Sequence, residues 1–139
     1  MFARKLIAIS ALAITTIAPT FAFAASPDAE PCILRDHRVT GVKPYKVTEH
    51  AGRGSTQRLR GAEVFVQAEK GLTAEWLQLA LTRHLAEMQG PAGMRDCAFD
   101  VNDVTLRVDS AGTGFSVKII AKEPGKAAEV LRRAQLLVG

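Results

Sequence analysis

The chain lacks an apolar run long enough to cross a bilayer. Leu6 to Ala18 is uncharged and largely apolar, but it covers 13 residues, whereas a helix spanning hydrocarbon needs about 20. Catalytic constellations are also scarce. The three histidines, His37, His50 and His84, stand apart with no H-x-x-x-H pair, so a helical zinc-protease motif is excluded. Ser55 lies outside a G-x-S-x-G frame, and no other serine or cysteine is glycine-flanked. Nothing repeats at a fixed period, which excludes solenoids and propellers. The glycine-rich segments AGRGS and SAGTG read as turns between strands. A phosphate loop instead requires glycines between a strand and a helix N-terminus.

Cysteine is sparse too: Cys32 and Cys97 are the only two. The first 24 residues decide how that pair is read. Arg4 and Lys5 precede the apolar run, and Ala22 and Ala24 fit an A-x-A cleavage pattern. Residues 1–24 are therefore expected to be a secretory signal, and the processed protein to be periplasmic or secreted and not an integral membrane protein. An oxidising compartment and an even thiol count predict a Cys32–Cys97 disulfide.

Loss of the signal would lower the formal charge from +4 to 18 − 2 − 14 = +2. That gives no case for nucleic acid as a partner. The charge is nevertheless uneven. Arg35, Arg38, Lys43, Lys46, Arg53, Arg58 and Arg60 face only Asp36 and Glu49, while from Gly61 onward nine bases meet ten acids. Residues 25–60 read as a leader and a basic N-terminal arm with an edge strand, and 61–139 as the core of the same domain. The seven bases are a candidate surface for an acidic protein, an acidic glycan or an anionic lipid headgroup.

Hydrophobic periodicity supplies the fold class. An edge strand is expected from about Tyr45 to Glu49, with Pro44 at its start, and a partner strand over 57–68. Leu77, Leu81, His84 and Met88 form one stripe of a helix over 72–89, closed by Gly90-Pro91. Gln78, Thr82 and Arg83 fall away from the stripe. Val104, Leu106 and Val108, then Phe115, Val117, Ile119 and Ala121, alternate with largely polar residues as in a half-covered hairpin. Pro124 suits the first turn of a final helix. The order β-β-α-β-β-α predicts an α+β two-layer sandwich, a mainly antiparallel four-stranded sheet with two helices on one face. It is partly ferredoxin-like, with the early edge strand in place of the last strand.

Within H84-LAEMQGPAGMRD-C97, His84, Met88, Met94 and Cys97 offer donors for copper or zinc. His84 and Met88 also lie where core residues belong, and a bridged Cys97 would lose its thiolate. A Cys97–His84 nucleophile pair is the third option. Core packing is the preferred expectation, with no cofactor and no enzymatic activity: an exported, non-enzymatic binding or interaction domain, with soft-metal binding as the alternative.

Overall fold

The computed structural model describes residues 32–88 and 97–138. The expected signal (1–24), the leader up to residue 31, the Gly90-Pro91 helix end and Met94 lie outside them. A short 3₁₀ helix, Ile33–Asp36, leads into β1 (Val39–Ala51) and β2 (Gly54–Gln67). Helix α1 (Ala74–Met88), strands β3 (Val104–Ala111) and β4 (Gly114–Ala121), and helix α2 (Ala127–Gln135) follow. The sheet is antiparallel in the order β1-β2-β4-β3. The architecture is therefore the expected α+β sandwich. β1 flanks β2 on the side away from β4, in the place that the last strand of a ferredoxin-like sheet would take.

One face of the sheet carries Ala62, Val64 and Val66 of β2 and Phe115, Val117, Ile119 and Ala121 of β4, all buried. Leu77, Leu81 and Met88 of α1 and Ala127, Val130 and Ala134 of α2 pack onto that face in one cluster. Each fully buried Leu or Val contributes about 1.5–3 kcal/mol relative to exposure. The opposite face is polar and cross-linked. Asp109 accepts from Lys118 (2.9 Å) and Arg107 (3.0 Å), Ser116 donates to Glu63 (2.5 Å), and the Lys43 ammonium lies 5.0 Å from the centre of the Phe65 ring. The Lys118 hydrogen bond, followed by that of Arg107, holds the Asp109 carboxyl below its ordinary value.

Two expectations need correction. β1 begins at Val39 rather than near Tyr45, so Gly41 and Pro44 lie inside it. The strand absorbs them because it is an edge strand: one row of its backbone groups has no sheet partner, so a missing proline N–H in that row costs no ladder bond. A register shift between Val39 and Gly41 takes up the extra residue. Gln78, expected to point away from the core, instead reaches the outer edge of β3. Its side-chain oxygen accepts from the Val108 N–H (2.8 Å) and its amide donates to the Leu106 carbonyl (3.4 Å). An unpaired strand edge is thereby capped by a helix side chain.

β2 pairs with β4 only from Gly61 to Gln67. Residues 46–60 continue beyond the sheet as a hairpin of β1 and β2 alone, closed by Gly52-Arg53 with Gly52 at φ 61°. A two-residue turn with glycine at φ > 0 in its first position matches the right-handed twist of the strands. The second register shift, between Tyr45 and Lys46, falls opposite Gly61. Gly61 has φ 152°, and a Cβ there would collide with the Ile119 carbonyl. Glycine is required where the hairpin bends away from the sheet.

Candidate functional site

The chemistry-bearing residues gather at two separate places. The first lies beneath α1. Helical spacing puts His84 on the inward stripe, three residues after Leu81 and four before Met88, and all three are buried. The His84 ring is 6% exposed and meets Phe99 edge-on, with centroids 5.8 Å apart. Its Nε2 lies 3.7 Å from Sγ of Cys97. Cys97 is bridged to Cys32 with the Cα atoms 5.3 Å apart, within the span a disulfide requires. Closing a loop with a sequence separation of 65 stabilises the fold by up to about 4 kcal/mol in the chain-entropy model. Among the described residues there is no free cysteine.

The predicted donor set is thus rearranged. His84 and Cys97 come together, and Cys32 joins them: one ligand atom from each of these three residues lies within 4.8 Å of the others. Cys32 was not expected in that set, because nothing in the spacing places it beside His84. As long as the bridge is intact, neither sulfur is the thiolate that metal ligation or nucleophilic attack requires.

The second place is the hairpin. Lys46, Arg53, Arg58 and Arg60 fall on residues 46–60, where Glu49 is the single acid. Arg58 donates to Glu49 at 2.9 Å with both side chains largely in solvent. Lys43 sits at the base of the hairpin, on the polar sheet face over Phe65. Arg35 and Arg38 lie before the first residue of β1, at the opposite end of that 13-residue strand. At about 3.4 Å per residue the two groups are separated by some 30–40 Å. The seven bases therefore form a ribbon cluster of four, a fifth at its base and a distant pair.

The exposed side of α1 presents features that periodicity did not mark as functional. Trp76 and Leu79 are more than half exposed. An open groove of about 430 Å³ runs beside Trp76, and its lining includes Ile33, Asp36, Ala80, Arg83, His84 and Glu87. On the other side of Trp76, His37 makes an edge contact with the indole and a 3.4 Å contact with Glu69. The signal that could have been read is a lone tryptophan off the buried stripe. The chain matches no protein-family model, and no curated protein or solved structure is significantly similar to it.

Proposed function

We propose that this protein is an exported, non-enzymatic binding domain that engages an anionic partner through its basic β-ribbon. The observation that carries the proposal is residues 46–60: four permanent cations and one acid on a two-stranded hairpin that the core does not cover. Guanidinium groups on such a projection suit carboxylate, phosphate or sulfate groups of an acidic protein, an acidic glycan or a lipid headgroup. Both cysteines being tied in a disulfide favours a binding role over a thiol-dependent one. The disulfide and the residue 1–24 pattern together favour export to the periplasm or medium. Among the described residues no helix is long and apolar enough to cross a membrane.

The test is salt-dependent binding of the oxidised protein to three probes: phosphatidylglycerol vesicles, a sulfated glycan and a poly-glutamate peptide. At least one should bind, more weakly as salt rises, and should lose most of its affinity when Lys46, Arg53, Arg58 and Arg60 are changed to Ser together. The Arg35→Ser/Arg38→Ser variant should bind normally. Equal binding by the ribbon variant, or no binding to any probe, rejects the proposal.

A further inference from the structure

The Cys32–Cys97 bridge covers a potential metal site. We infer that reduction of this disulfide creates a buried Cys₂His centre for Zn(II), made of both cysteine sulfurs and the Nε2 atom of His84. This goes beyond the proposed ribbon function and does not depend on it.

The geometry is the first support. With Zn–S near 2.3 Å and Zn–N near 2.05 Å, tetrahedral angles require an S···N separation of about 3.6 Å. The Cys97 Sγ to His84 Nε2 distance is 3.7 Å. The three donor atoms already lie within 4.8 Å of one another, so the site forms when the two sulfurs part and the Cys32 side chain turns toward the imidazole.

Electrostatics supply the second support. All three residues are buried, at 4%, 6% and 1% exposure for Cys32, His84 and Cys97. A buried site penalises net charge. Two thiolates, a neutral imidazole and one Zn(II) sum to zero, so a divalent soft-to-borderline cation fits where a monovalent one would leave a buried negative charge. The fourth position of zinc remains for water or another donor.

The chemistry balances with a small dithiol as reductant. Two electrons and two protons pass from the dithiol to the bridge; its S–S bond breaks, two cysteine thiols form, and the dithiol closes to its own cyclic disulfide. Zinc then displaces the two thiol protons to solvent and takes the Nε2 lone pair. In an oxidising compartment the bridge prevails and the site is closed. Under reducing conditions metal takes its place as the link between the 3₁₀ helix, α1 and the segment before β3.

The experiment is chelator competition for Zn(II) on the full chain, oxidised and after reduction with dithiothreitol and its anaerobic removal. Reduced protein should bind one Zn(II) at least 100-fold more tightly than oxidised protein, and reduced His84→Gln should be at least tenfold weaker than reduced wild type. Equal affinity in the two redox states, or an unchanged His84→Gln, overturns the inference. Because the reduced variant could unfold for reasons unrelated to metal, ¹⁵N NMR of the reduced wild type provides an independent reading. The His84 Nε2 resonance should move on adding Zn(II), and an unmoved resonance at saturation also overturns it.

Discussion

Strands β1 and β2 pass through two different environments, and the change falls at Gly61. From Gly61 to Gln67, β2 is hydrogen-bonded on both sides and Ala62, Val64 and Val66 are buried in the core cluster. From Gly54 to Arg60 the same strand pairs only with β1, and the residues are mostly exposed. Two-stranded hairpins are marginal on their own in water, so the ribbon keeps its shape because the body holds its base. The body is therefore constrained by packing far more than the ribbon, where Leu59 at the base packs against the core cluster. The ribbon can vary its charge pattern at small cost to folding, whereas the body cannot vary its stripe residues. Exposed basic residues on a segment with little packing duty are what a binding surface requires.

The largest effect should separate the two regions most clearly. Leu81 is fully buried between α1 and the sheet. Leu81→Ala should destabilise by about 2–5 kcal/mol through lost burial and a residual cavity. Val47→Ala, on the ribbon and only partly buried, should cost less than about 1 kcal/mol. Urea denaturation of both variants checks this, and similar costs would mean that the ribbon is part of the cooperative core.

The cap on the β3 edge comes next. Gln78→Ala removes three side-chain hydrogen bonds, one of them to the exposed Thr82 hydroxyl, and leaves the Val108 N–H and Leu106 carbonyl without that partner. The expected loss is about 1–2 kcal/mol. Gln78→Glu keeps the acceptor for the Val108 N–H and loses the donor to Leu106, so it should fall between wild type and alanine. Hydrogen exchange at the Val108 amide is the direct readout: it should accelerate in the alanine variant and much less in the glutamate variant.

These two regions also differ in how far they could be read from sequence. The body was legible because its burial follows strict periods: two in β4, and three or four in α1, where Leu77, Leu81, His84 and Met88 all face inward as expected. The disulfide was legible from the even thiol count and the expected export signal. The ribbon was anticipated as an edge strand, a glycine turn and a partner strand, but the start of β1 was not, since Gly41 and Pro44 carry breaker signals that an edge strand tolerates. Gln78 was missed because an amide facing a strand edge reads as a solvent-facing residue. The joining of Cys32 to His84 depends on long-range folding that spacing does not encode. The same holds for Arg133, which bridges α2 to Asp100 at 3.0 Å.

Acid should probe α2, at the edge of the body. Glu129 accepts from Arg132 and Arg133, and these bonds, that of Arg132 first, lower its carboxyl from 4.5 to about 2. A depressed folded-state value means that the contribution is complete above pH 4.5 and is lost as pH falls toward 2. Asp109 is lowered as well, so it loses stability in the same direction. Glu129→Gln should lower stability modestly at neutral pH and converge on wild type as pH falls toward 2, which flattens part of the acid limb of a stability-against-pH curve. Both carboxylates are solvent-accessible, so the effect should shrink in high salt.

The smallest effect bears most directly on function. The Glu49–Arg58 pair links the two ribbon strands at 2.9 Å, yet the Arg58 side chain is 58% and the Glu49 side chain 41% exposed. Exposed pairs contribute about 0.2–1 kcal/mol, and many contribute nothing measurable. Arg58→Ala therefore should shift the melting temperature by no more than about 5 °C. Arg53→Ala should shift it less, because Arg53 sits in the turn where no ion pair is formed among the described residues. If the ribbon is a binding surface, the same substitutions should weaken attachment to whichever anionic probe the protein prefers, with a shallower dependence on salt. A large loss of stability in either variant would place the ribbon within the folding unit. Unchanged stability with unchanged binding would leave the ribbon cations without the role proposed for them. Only the combination of preserved melting and weakened, less salt-dependent binding matches a projection held by the body and used by its charge.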